Sequence, residues 1–153
     1  MLVLFPNEAS VGCRKDTARI LDFYICFPSL ISEFRCPRDL IKKHNALKRR
    51  YLPNSYQVTP RPAVMFRRMN AAQNAAASSL HSYGFFDHKA FMDGFIARTS
   101  KSLPGRLHEA VESHRQDNSE LIEFLDHLKT WTLFGSDGLR ARSKLEEYRY
   151  DDV

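Results

Sequence analysis

Residues 21–34 read LDFYICFPSLISEF, and how this stretch is folded decides the architecture. Just upstream, Asp16 or Thr17 can cap a helix. That helix runs through ARILDFYICF (18–27) until Pro28 ends or kinks it. SLISEF (29–34) is a second short apolar piece, so Ile20 to Phe34 is expected to form a strongly hydrophobic hairpin or bent helix. Phe23, Tyr24, Ile25, Phe27 and Ile31 point all round a helix rather than to one side. A helix that is apolar on every side must be buried on every side. In so small a chain we expect that to require both a core and a partner subunit. Phe23, Tyr24 and Phe27 are the candidate partner-binding residues.

The rest of the composition supports one unit. The chain has 153 residues, 43% of them apolar, and its eleven phenylalanines point to an aromatic core or interface. We expect a single domain over 1–153. Within it, 1–36 is an apolar helical N-terminal segment, 37–102 a basic helix plus a winged-helix-like core, 103–135 a pair of C-terminal helices, and 136–153 a partner-docking tail. No apolar run reaches the ~20 residues that span a bilayer. MLVLFPNEASVGCRKD makes a poor signal peptide, with no basic lead and a break at Pro6-Asn7. A cytoplasmic location without membrane contact is expected. Cys13, Cys26 and Cys36 show no metal spacing, and Cys26 reads as a small hydrophobe.

Charge is divided along the chain. Arg35 to Arg68 holds ten Lys/Arg against the single acid Asp39, whereas Pro104 to Val153 holds eleven acids against seven Lys/Arg. On a helix wheel over 38–51, Leu40, Ile41, His44, Leu47 and Tyr51 fall on one side. Arg38, Lys42, Lys43, Arg49 and Arg50 fall on the other. Like charges at i,i+4 repel, so an acid-free cationic face is easier to understand if a polyanion sits there. Arg38, Lys42, Lys43, Arg49 and Arg50 are therefore candidate DNA-binding residues, extended by Arg67 and Arg68. A plain solvated face is the alternative.

Farther on, LPNSYQVTPRP (52–62) reads as an extended connector. A short helix through AVMFRRM and a capping box at Asn70–Gln73 open an alanine-rich helix over 71–83, stopped by Gly84. Asp93-Gly94 is a hairpin signal, and FIART (95–99) has strand character. Helix, helix, turn and short hairpin follow the order of a winged helix. Leu103 to His114 and ELIEFLDHLKTWTLF (120–134) are two further helices, the second stopped by Gly135. The fold class expected is mainly α (α+β). The tail carries Tyr148-Arg149-Tyr150, residue types enriched at interface hot spots, and these are candidate partner-binding residues.

Catalytic signatures are missing from the sequence. There is no GxxxxGK[ST] loop, no GxSxG elbow and no Cys/His set at zinc spacing. HEAVESH (108–114) places its histidines six apart, ~240° around a helix, where HExxH needs four. No enzyme activity, cofactor or metal is expected.

RILDFYICFPSLISEFRCPRDL (19–40), AAQNAAASSLHSYGFF (71–86) and above all GLRARSKLEEYRYDDV (138–153) resemble the middle component of bacterial ABC-three-component systems, the small subunit of Lamassu-type defence operons. The resemblance runs over most of the chain from Arg19 onward. The chain departs from the pattern at Ser143-Lys144-Leu145, where a Thr-Gly-Leu-like turn is expected. The resemblance implies a non-enzymatic subunit of an antiviral or anti-plasmid complex. Its partners would be an SMC-like ATPase and an effector such as a nuclease, with DNA reached through the ATPase. Phosphate contacts of that kind position without reading sequence. The rival expectation is a free-standing winged-helix DNA-binding transcription regulator. For that role Gln73, Asn74 and His81 on the alanine-rich helix offer little to bases.

Overall fold

The structure, a computed structural model, describes residues 1–53 and 60–145. It is mainly α-helical with one two-stranded antiparallel ladder. Strand β1 (Cys13–Arg14) leads directly into α1 (Lys15–Cys26). A 3₁₀ segment, Pro28–Glu33, folds back from it, and a 3₁₀ turn at Arg38–Leu40 opens α2 (Ile41–Arg50). Then come α3 (Pro62–Ser82), α4 (His88–Met92), β2 (Phe95–Ile96), α5 (Gly105–Asp117), α6 (Ser119–Leu128) and α7 (Leu139–Ser143). No helix among the described residues is long and apolar enough to cross a membrane.

Helix α1 is the centre. None of its residues from Lys15 to Ile25 is exposed, and Ile20, Leu21 and Phe23 are wholly enclosed. The enclosure is aromatic. Phe23 meets Phe66 of α3 edge-on (5.8 Å between centroids, 88°) and lies 5.3 Å from Phe27. Tyr24 meets Phe34 at 5.9 Å, and Phe34 meets Phe124 of α6 at 6.1 Å. Edge-to-face pairs of this kind contribute about 0.5–1.5 kcal/mol each beyond their buried area. Pro28 separates α1 from the 3₁₀ segment and sits at that segment's start, where its missing N–H costs nothing.

Polar ties fix α3 against α1. Gln73 is buried, and its Nε2 donates to the Arg19 carbonyl and to Asp22 Oδ2, both at 3.0 Å. Asp22 also accepts from the Met1 amino group. Leu4 and Phe5 lie in the core beside these contacts, and Lys129 Nζ donates to the Leu4 carbonyl.

Several elements differ from the sequence expectation. Residues 62–82 form one helix, not two, because nothing interrupts them. Asn70 accepts from Asn74 Nδ2 (2.9 Å) instead of capping a backbone N–H. Helix α1 starts earlier than its expected caps, with Arg14 at the N-cap and Asp16 in the first turn. The ladder is present, but β2 pairs with the distant β1, in the register Cys13↔Ile96 and Arg14↔Phe95. Asp93-Gly94 does turn the chain, joining α4 to β2. Helix α4, capped by Asp87 accepting from Ala90 N at 2.8 Å, takes up the residues that would form the other strand of a hairpin turning at Asp93-Gly94. The isolated bridge Phe86↔Arg98 closes the loop that holds it. Helix α6 ends at Leu128, before Gly135, since Thr130, Trp131 and Thr132 lose side-chain freedom in a helix. Cys26 is exposed at the end of α1, and Cys13 is the buried thiol, its pKa pushed up to about 12 by burial.

The chain then returns to α1. Gly138 passes so close to the preceding turn that a Cβ would lie 2.2 Å from the Phe134 carbonyl oxygen. Leu139 and Leu145 are buried, and Arg140 Nη2 pairs with Asp16 at 2.7 Å. Arg35 and Arg142 exchange bonds: Arg35 N donates to the Arg142 carbonyl (3.0 Å), and Arg142 Nη1 donates to that of Arg35 (2.9 Å). Lys144 ends α7 in the left-handed region at φ 55°, where a glycine is at home.

Two expectations follow from this packing. Lys144→Gly relieves left-handed strain at an exposed position and should stabilise the chain by about 0.5–1 kcal/mol in chemical denaturation. His44 is buried, stacks on Phe124 and donates from Nε2 to the Ile31 carbonyl at 2.7 Å. Burial holds its pKa below the ordinary 6.5, partly offset by that bond. The unfolded chain therefore binds this proton more readily than the folded chain. The contribution of neutral His44 is complete above pH 6.5 and is lost as pH falls below it. Urea midpoints should drop on acidification through that range, with a shallower drop in His44→Gln.

Candidate functional site

The cationic helix is where the sequence places it, but its surroundings change its meaning. His44 and Leu47 are the buried side of α2, Leu40 and Tyr51 are half-buried, and Ile41 is 41% exposed. Two of the outer cations are tied to the acidic helix α6. Lys43 Nζ donates to Glu123 Oε1 at 2.6 Å and draws that carboxyl's pKa below the usual range. Arg50 pairs with Glu120 (3.4 Å) and donates to the Asp117 carbonyl (2.6 Å). Tyr51 adds a bond to Asn118 Oδ1 at 2.8 Å. The acids absent from α2 itself are thus supplied by α6 across the helix pair.

Arg38, Lys42 and Arg49 are exposed and make no ion pair among the described residues. Arg67 and Arg68 are exposed on α3, and no hydrogen bond or ion pair among the described residues links them to α2. The five stand on the Arg38–Leu40 turn, α2 and α3, all of them exposed.

The aromatic residues expected to grip a partner occupy different places. Phe23 and Tyr24 are enclosed by this chain's own α3, α6 and 3₁₀ segment and present no surface. Phe27 is half-buried against Phe23. An all-round apolar helix does need all-round burial, and here the chain supplies it by folding both ends over α1. Tyr148, Arg149 and Tyr150 lie outside the described residues. Gln73 is inside the molecule, so of the three side chains considered for reading bases only Asn74 is exposed and His81 half-buried.

An apolar groove of about 750 Å³ opens elsewhere, between the second half of α3 and α5. Leu80 and Tyr83 line it from α3, Leu107 and Val111 from α5, and Met1, Leu2 and Val3 from the N-terminal segment, together with Phe85 and the exposed Lys101. Tyr83 is 67% exposed and Leu107 37%. The sequence held one signal for it. Leu107 and Val111 make an i,i+4 apolar pair on a helix that buries only Val111.

Among the described residues no three His, Cys, Asp or Glu side chains are grouped to hold a metal. His108 and His114 stand on α5, apart as their spacing requires. Burial raises the Cys13 and Cys36 thiols, to about 12 and about 11, and that of Cys26 also rises, so all three favour the thiol form.

Comparison with curated proteins and with solved structures finds no match in either. Comparison with protein families finds one: residues 1–151 match the model of ABC-three component (ABC-3C) system Middle Component 5. The match takes in the α1 core, the charged α2–α6 pair, the groove and the returning C-terminal segment. The chain therefore belongs to the Middle Component 5 family of ABC-three component systems.

Proposed function

We propose that the chain is a non-catalytic assembly subunit that bridges an SMC-like ABC ATPase and an effector, a nuclease in the simplest case, in a Lamassu-type antiviral or anti-plasmid complex. The observation that carries this reading is the family match over residues 1–151. A middle component has companions by definition, and the folded chain has an apolar groove to offer them. DNA is contacted through the backbone by Arg38, Lys42 and Arg49, with Arg67 and Arg68 adding to the field. Lys43 and Arg50 serve instead to clamp α2 on α6. Arginine and lysine without acidic neighbours neutralise phosphates at no cost in broken ion pairs. Work of this kind fits the cytoplasm, where such an ATPase and its DNA meet.

The test is DNA binding by the assembled complex over a range of salt. Arg38→Glu, Lys42→Glu and Arg49→Glu together should weaken binding and flatten the slope of log K against log salt by about 2–3, roughly 0.9 for each phosphate no longer neutralised. Unchanged affinity and slope would remove DNA from the account. Failure of the chain to co-purify with the other two components of its own system would remove the assembly role itself.

A further inference from the structure

We infer that the groove between α3 and α5 receives an amphipathic α-helix from one of the chain's partner proteins, with an acidic side chain of that helix set against Lys101. This rests on the assembly-subunit reading and names the surface and the chemistry by which assembly occurs. Helices α3 and α5 flank the groove, the N-terminal Met1 to Val3 line it with them, and along Ala76 to Tyr83 it is about 10 Å long, the rise of two helical turns. The α3 wall is lowered by Ala76 and Ser79, small residues that let a third helix approach closely. Helix α3 is otherwise short of partners: of its 21 residues only Phe66, Gln73 and Ala77 are buried. The apolar side chains on offer, Leu80, Tyr83, Phe85, Leu107 and Val111, match the spaced anchors of a helix seated in a hydrophobic groove.

Charge specifies the occupant further. Among the described residues Lys101 has the only charged side chain lining the groove, and no carboxylate faces it there. Its Nζ donates to the Tyr83 carbonyl at 2.6 Å, which pins the ammonium at the rim with further N–H groups to give. The backbone that carries Lys101 is itself braced. Buried Arg98 donates from Nη1 to the Phe85 carbonyl (2.8 Å) and from Nη2 to the Lys101 carbonyl (3.1 Å). A glutamate or aspartate beside the partner helix's apolar stripe would complete Lys101, whereas a basic helix would be repelled.

The test uses the chain co-purified with the other two components of its system, and the chain alone. Leu107→Glu and Lys101→Glu alter exposed side chains and should leave the isolated chain folded, as checked by its circular dichroism and thermal midpoint. Each should weaken association with one component at least tenfold, while Lys89→Glu, at an exposed position of α4 outside the groove, leaves that association unchanged. Hydrogen exchange on the wild-type complex should show new protection in 76–83 and 105–111. Wild-type association with no effect of either groove variant would overturn the inference and leave the assembly role standing. Absence of association altogether would overturn both. If the isolated chain dimerises and Leu107→Glu abolishes the dimer, the occupant is a second copy, and the partner-helix inference is wrong.

Discussion

The enclosure of α1 is the constraint from which the rest of this structure follows. A twelve-residue helix with Phe23, Tyr24 and Ile25 in succession cannot leave any side in water. The chain meets the demand by wrapping. Its first residues bring Leu4 and Phe5 into the core, the 3₁₀ segment brings Ile31 and Phe34, α3 brings Phe66, and α6 brings Phe124. The return through α7 adds Leu139 and Leu145. Each of these aromatic and aliphatic groups is fully buried or nearly so, and replacing one phenylalanine by alanine in such a setting costs about 3–5 kcal/mol.

Wrapping also determines what is left outside. With the aromatic residues of α1 used internally, the apolar side chains left at the surface include Tyr83 and Leu107 of the groove between α3 and α5. With α2 laid on α6, the basic and acidic halves of the chain become neighbours. Part of the positive charge is then answered by Glu120 and Glu123, and part by nothing in the described chain.

Much of this was legible in the sequence, and the exceptions have physical causes. The period of α2 showed its buried side correctly, because His44 and Leu47 are set by the helix repeat alone. Gly84 and the end of α3 were legible because a left-handed turn has few alternatives to glycine. The glycine expected at position 144 was a backbone signal too: Lys144 takes the left-handed conformation without it. What sequence could not show was pairing at long range. The short antiparallel pair and the turn at Asp93-Gly94 were legible, but the ladder joins Phe95–Ile96 to the distant Cys13–Arg14, a partner strand that no local signal names. Phe23 and Tyr24 looked like interface residues because their periodicity reports burial, not the identity of the element that does the burying. Gln73 looked like part of a cap because Asn70 and Gln73 have the spacing of a capping box, although it is a buried tie to Asp22. The groove was hardly visible, since its walls come from helices separated by more than twenty residues.

Native-state amide hydrogen exchange on the isolated chain reads the central claim directly. If the chain alone encloses α1, the amides of Leu21 to Tyr24 open only by global unfolding and show the highest protection in the molecule. Exchange of those amides at the rate of fraying ends, with protection appearing only when partner subunits are added, would mean that α1 depends on other proteins for its burial.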